Sequence, residues 1–291
     1  MSAATTSALG LPRAARPRLD LRVIRRSPLS LAGAGIVVGF ILMAGLAPVL
    51  APHDPEDLVT TRLTAPQRAH PMGTDEFGRD ILSRIIFGSR ISLWVGVVAV
   101  GIGLGGGASV GLVSGYVGGR VDMLLMRVVD VMFSIPPIIL AITLTGVLGP
   151  GLTNATMAIG LVYLPAFARV ARGPVLAVVG REYIEAARAA GGGATRVLSR
   201  HVLPNVMAPL IVQTTLALST AILAEATLSF LGLGIQPPAP SWGTMLGTGR
   251  KYMELAPWVA IFPGAAVMLL VLGFNLLGDG LRDVLDPRLR P

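Results

Sequence analysis

Apolar residues occur along this chain in long runs, neither alternating as in a half-buried strand nor spaced as in the stripe of an amphipathic helix. Crossing the hydrocarbon core of a bilayer takes roughly 20 mostly apolar residues in a helix. Runs of about that length recur near residues 29–51, 91–113, 131–148, 155–171, 206–233 and 258–277. The pattern predicts an all-α membrane protein with six transmembrane helices and both termini on one side. Between the third and fourth runs lie only Gly149 to Asn154, with a Gly-Pro-Gly turn. The first run begins late and extends to about 23 residues, against the 7–15 of a signal-peptide core, so it reads as a retained span.

Charge sets the orientation. Of the 24 Lys+Arg, Lys251 is the one lysine, and the net charge is +8. In a soluble protein that balance would point to nucleic acid. Here the mean hydropathy of +0.70 and 14% charged residues point to arginine-rich loops on one membrane face, and nucleic acid is not expected as a partner. With the N-terminus inside, 17 basic residues fall on the cytoplasmic side and seven outside, so both termini are expected in the cytoplasm. The implied organisation is a cytoplasmic arm (1–28), a transmembrane domain (29–280) and a cytoplasmic tail (281–291). The domain contains outer segments at 52–90 and 235–257 and a cytoplasmic segment at 172–205. The arm, rich in Ala, Pro and Arg, suits anionic lipid headgroups.

Several chemistries are missing. The chain has no cysteine, which removes disulfides, thiolate metal sites and cysteine nucleophiles. Gly107 to Gly111 formally match G-x-S-x-G around Ser109, but His53, His70 and His201 all lie outside the predicted spans, leaving no base for an intramembrane serine hydrolase. No H-E-x-x-H pair occurs, and a P-loop needs a lysine followed by Ser or Thr where Lys251 precedes Tyr252. No catalytic residue, metal or cofactor is expected in this chain, and any ATP must be bound by another one.

Within the second span Gly103, Gly107, Gly111 and Gly115 recur every four residues, with Gly119 continuing the series. Such spacing lays a flat strip on one helical face for close approach of a neighbour, or for a pivot between moving helices. Charges at membrane depth are functional candidates. Glu225 lies in the fifth span with Ser229 one turn on, and Asp122, Arg127 and Asp130 lie at the entry to the third. Glu225, Ser229, Arg127 and Asp130 are therefore candidates for a translocation path. The structural alternatives are an Arg127–Asp130 pair and a Glu225 bonded to a neighbouring helix. An ion-coupled secondary transporter or channel using Glu225 is the competing class, although no internal repeat is evident.

The segment between the fourth and fifth spans holds good helix formers from Glu182 to Ala190, acids in its first turn and three glycines, Gly191 to Gly193, at its end. It reads as a short helix with a left-handed stop. Leu203-Pro204-Asn205 follows, with proline near a helix start. By physical chemistry alone this helix is either an exposed connector or a docking element whose small alanines permit close approach.

Glu185-Ala186-Ala187, then Gly191, then His201-Val202-Leu203-Pro204 resembles the EAA loop of permease subunits in binding-protein-dependent ABC importers. His201 stands where the general motif has isoleucine. The resemblance implies a coupling helix that docks on an ATP-hydrolysing subunit, with Glu185, Ala186, Ala187, Gly191, Leu203 and Pro204 in that role beside Glu182, Tyr183 and Arg188. Two further segments, from His70 to Arg84 and from Ala224 to Gly243, look like hallmarks of the second permease of oligopeptide and dipeptide importers. Together the motifs cover the chain from about Pro28 onward.

What the resemblance implies is the type I transmembrane fold of ABC importers in a bacterial inner or plasma membrane. Its expected partners are a second homologous permease, one or two ATPase subunits carrying ATP and magnesium, and an extracytoplasmic peptide-binding protein. Nickel importers share this permease type, so the motifs define family better than cargo. The 52–90 segment, with six acids and five arginines, would dock the binding protein, while residues 81–87 read as an amphipathic lead into the second span. Pro237, Pro238 and Trp242 are candidates for an outer gate or an interfacial anchor.

Overall fold

The computed structural model describes residues 28–285, so the expectations for the N-terminal arm and the last tail residues lie outside the described part. The ordered elements are helical: α1 (Pro28–Gly45), α2 (Ala47–Leu50), α3 (Ile81–Val117), α4 (Gly119–Phe133), α5 (Pro137–Leu148), α6 (Leu152–Val179), α7 (Glu182–Ala189), α8 (Ala194–Val197), α9 (Leu203–Phe230), α10 (Trp242–Gly249) and α11 (Trp258–Leu285). Two short helical segments of other pitch, Leu198–Val202 and Arg250–Tyr252, complete them. Among the described residues five helices are long and apolar enough to cross a membrane, or six if the bent pair α4–α5 is counted as one broken span.

The glycine strip determines the closest helix pair. A Cβ on Gly103 would lie 2.8 Å from the Tyr163 Cβ, and one on Gly115 would lie 2.8 Å from Val175. Methyl groups at Gly107 and Gly111 would run into the backbone carbonyls of Leu164 and Ala168. The absence of side chains therefore lets α3 and α6 pack backbone to backbone, the geometry that drives association where lipid offers no hydrophobic gain. Gly160 of α6 returns the favour, lying against the Ala99 carbonyl and Ile102. The series ends at Gly115: α3 stops at Gly118 (φ +67°), and Gly119 opens α4 with open space around its Cβ position.

Three expected boundaries change. The third span is no single helix, because α4 and α5 meet at 89° across Ser134–Ile135–Pro136. Two successive prolines, Pro136 and Pro137, exclude helical backbone in the residues before them and restart the chain at a new angle. The last ten residues of the expected outer segment 52–90 belong to α3, which Asp80 caps by accepting from the Ser83 N–H. Most of 172–205 is helical too. α6 runs on to Val179, and the helix from Ala194 continues to Phe230 through a π turn at Leu198–Val202. Pro204 thus marks a bulge rather than a start. Its ring would clash with a carbonyl four residues back, and widening the preceding turn relieves that clash.

α4 is fastened sideways to α6. Arg172 forks onto Asp122 with two bonds of 2.6 Å, Ser114 also donates to Asp122, and Arg169 reaches Asp130 at 2.7 Å. The expected Arg127–Asp130 pair does not form, because Asp130 takes a cation from the neighbouring helix and Arg127 stays exposed.

The chain alternates between two ends. One end carries the 51–80 segment, the 149–151 turn and the 231–257 segment. Gly151 N–H to Leu233 O (3.2 Å) joins two of them, while Arg84 of α3 to Pro55 O (2.8 Å) and the Trp258 indole at the head of α11 to Thr74 O (3.4 Å) tie the 51–80 segment to the helices. The other end carries the α3–α4 junction, α7 and α8.

Candidate functional site

At that second end α7 stands out as an exposed, eight-residue amphipathic helix with Glu182 and Glu185 in its first turn and Arg188 in its last, each matching the helix dipole. Its stop is a Schellman motif: Gly192 N–H donates to the Ala187 carbonyl and Gly191 N–H to the Arg188 carbonyl, both at 3.0 Å. Gly191 has φ +80°, a conformation glycine adopts without Cβ strain.

One face of α7 is an anchor. Ile184 is fully buried and joins a core cluster with Val175, Val178, Val197 and Val202, so the helix is keyed into the ends of α6, α8 and the π turn. Ala187 lies on the same side, half-buried against that core, three residues after Ile184. Glu182, Tyr183, Glu185, Ala186 and Arg188 are exposed on the outer side, with Gly191 exposed beyond the stop. Leu203 is half-buried and Pro204 exposed at the head of α9. The structure therefore brings the expected coupling residues to one end of the molecule while dividing them into an outward face and an anchoring face. Arg188 adds a tether that the motif does not reveal: its guanidinium sits 4.7 Å over the Tyr116 ring at the end of α3.

Glu225 occupies the opposite half of α9 and is 1% exposed. Ser229 and Ser241 donate to its Oε1 at 2.8 and 3.0 Å, and Ser92 donates to Oε2 at 3.3 Å. Ser229, expected one turn on along the same face, bonds to Glu225, and Ser92 of α3 and Ser241, the N-cap of α10, complete the node. A lone serine carries little signal in a sequence, whether inside an apolar span, as Ser92, or in an outer segment, as Ser241, so sequence reasoning does not find these two. The node locks three elements together and encloses the carboxylate within this chain. Ser109, for its part, donates to the Gly105 carbonyl of its own helix at 2.7 Å.

The proposed outer-gate residues separate. Pro237 and Pro238, joined by a cis peptide bond, are exposed. Trp242 is 0% exposed, donates its indole N–H to Ile85 O at 3.0 Å and meets Phe40 edge-on at 5.6 Å. It is packed in the core, because α10 folds back among α3, α9 and α11 and buries its first residue.

Two concavities are relevant. At the loop end a cavity of about 340 Å³ lies between the 51–80 and 231–257 segments, with Glu76, Arg79, Arg84, Pro237 and Lys251 in its wall. Inside it burial raises the Glu76 carboxyl above its usual range, helped by the neighbouring Asp75 charge and opposed by Arg79 and Arg84. Midway along the helices an apolar groove of about 240 Å³ runs between α5, α6 and α9, with Tyr163, Thr220 and Thr227 as its polar points.

The family described as "Binding-protein-dependent transport system inner membrane component" matches residues 107–291, and the "N-terminal TM domain of oligopeptide transport permease C" matches residues 20–71. The dipeptide transport system permease protein DppC of Alkalihalophilus pseudofirmus is 46% identical over 94% of this chain and 90% of its own length. The di/tripeptide transport system permease protein DppC of Pseudomonas aeruginosa is 46% identical over 90% of this chain and 88% of its own. A glutathione transport system permease protein GsiD of Escherichia coli is 44% identical over 92% and 89%. The chain belongs to the family of binding-protein-dependent transport system inner membrane components, multi-pass transport permeases with the type I transmembrane fold of ABC importers.

Proposed function

We propose that this permease carries small peptides inward, pairing with a homologous permease around a shared path and taking its drive from ATPase subunits docked on α7. Supporting the cargo are relatives whose names specify dipeptides, di/tripeptides and glutathione. Supporting the drive is one observation above all: α7 is exposed on its outer face and rigidly keyed to the transmembrane helices by Ile184. ATP and magnesium sit on the partner ATPases, and the α7 end faces the cytoplasm. The opposite end, with its mixed-charge 51–80 segment, receives a peptide-loaded binding protein. Closure of the ATPases moves α7 as a lever and tilts α3 and α6 between inward-open and outward-open states, provided ATP binds the two states with different affinity.

The path runs along the apolar groove between α5, α6 and α9, with Glu225 and Ser229 bracing its wall from behind. Asp130, paired with Arg169, and the exposed Arg127 lie on α4, the half of the bent pair that precedes the groove-lining α5. An ion-coupled transporter using Glu225 gains no support from a carboxylate enclosed by three serines.

The test is Ala186→Arg in the complete complex reconstituted in proteoliposomes. Ala186 is on the exposed face, so a bulky cation there should abolish ATP-driven dipeptide uptake while the permease pair still assembles. Ala187→Arg is less specific, since it also strains the core beneath. Normal uptake by the Ala186 variant would overturn the docking assignment.

A further inference from the structure

We propose that His53, His70 and Asp80 form a binding site for a divalent transition-metal ion at the base of the 51–80 segment. One ligating atom from each lies within 4.8 Å of the other two. The residues come from different parts of the segment. His53 follows α2, His70 lies midway, and Asp80 caps α3.

The geometry is already organised around the carboxylate. Asp80 is fully buried; its Oδ2 accepts from the Ser83 N–H and Oγ at 2.8 Å each, and its Oδ1 lies 3.0 Å from His70 Nδ1. The His53 backbone N–H donates to Ser83 Oγ at 3.1 Å, which holds that residue in place. The two imidazoles sit 5.1 Å apart, centre to centre.

His53 carries the inference. Its side chain is 33% exposed at the outer edge, yet Nδ1 is screened from solvent and has no hydrogen-bond partner. Buried polar nitrogens are ordinarily satisfied, and leaving one unsatisfied is costly. This nitrogen faces Asp80 Oδ2 at 4.0 Å. That is too long for a hydrogen bond and within the span of about 4.0–4.4 Å that two bonds of about 2.0–2.2 Å can bridge, so a small approach brings both atoms to the tetrahedral spacing of about 3.4 Å. Two imidazoles and a carboxylate suit zinc, nickel or copper better than magnesium or calcium. With three protein ligands, the fourth position is left to water. The ion would replace the proton shared by His70 and Asp80 and clip both ends of the segment to the head of α3. It would be a resident of the outer surface, separate from the apolar groove and from the cargo.

The experiment uses the full-length chain in its assembled complex, stripped with chelator. Zinc chloride is titrated calorimetrically, retained metal is counted by mass spectrometry, and cobalt(II) serves as the visible probe of coordination. We expect about one high-affinity zinc per copy of this chain, unaffected by excess magnesium. His53→Ala removes a ring without a hydrogen-bonding role, so the complex should assemble normally with zinc affinity at least about tenfold weaker and the cobalt spectrum lost. His70→Ala should do the same, but His53→Ala decides the question even if His70→Ala fails to assemble. Zinc binding equal in the His53→Ala complex and the parent, or no zinc retained by the parent, overturns the proposal. Peptide uptake is not a readout here, so failure of the site and failure of the peptide reading remain distinguishable.

Discussion

The Arg188 guanidinium lies 4.7 Å over the Tyr116 ring, joining the last turn of α7 to the last turn of α3. α3 is also the helix with the glycine strip, so this exposed element is tied by a cation–π contact to the tightest seam of the bundle. Displacement of α7 thereby has a direct mechanical route into the transmembrane core, in addition to the buried Ile184.

Replacing Tyr116 by leucine keeps the apolar bulk but removes the ring quadrupole. A contact of this kind is worth about 0.5–1 kcal/mol at an exposed site, so peptide-stimulated ATP hydrolysis should fall about two- to fivefold. Tyr116→Phe should retain the parent rate, and equal losses in both variants would rule out the cation–π contact as the cause.

Gly111→Val tests the strip. The new side chain would meet the Ala168 carbonyl and the Ala171 Cβ, and overpacking of this sort costs about 1–3 kcal/mol. The variant should show a lowered unfolding temperature in detergent, whereas Gly105→Ala, where a Cβ has open space, should not.

Glu225 is expected to matter as an acceptor rather than as an ion carrier. Glu225→Ala leaves Ser92, Ser229 and Ser241 without their buried acceptor and should destabilise the permease by about 1–3 kcal/mol, read in thermal unfolding. Glu225→Gln retains a carbonyl acceptor and should transport peptide at near-parental rates. Loss of uptake in a stably folded glutamine variant would revive the ion-coupled reading.

Burial raises the Glu76 carboxyl above its unfolded value. The folded 51–80 segment therefore binds that proton more tightly than the unfolded one. Its contribution to stability is fully present below the ordinary carboxylate pKa and is lost as pH rises through the raised folded value. Hydrogen-exchange protection of residues 73–80 should decline across that window, and Glu76→Gln should flatten the decline.

The apolar runs, the arginine asymmetry and the EAA spacing were legible because each is written locally: hydropathy in a window, charge per loop, residue identity at a fixed interval. So was the end of α7, where the run Gly191–Gly193 announces a left-handed stop that the backbone takes at Gly191. Some boundaries were recoverable only with more weight on proline, since Pro136-Pro137 and Pro204 announce a bend and a bulge that hydropathy averages away.

Other features had no local signature. Trp242 reads as an interfacial aromatic until α10 folds back and surrounds it, and Asp130 reads as a partner for Arg127 until α6 brings Arg169 alongside. Ala186 and Ala187 are indistinguishable as letters, yet the packing of Ile184 turns one outward and the other into the core. The amino-acid sequence by itself determined that this protein spans a membrane, to which family it belongs and where α7 lies, because those properties depend on composition and short-range backbone preference. Only the tertiary structure decided which charges are satisfied, which face of α7 is free and which two histidines meet one aspartate, because those depend on residues distant in the chain arriving within a few ångströms of each other.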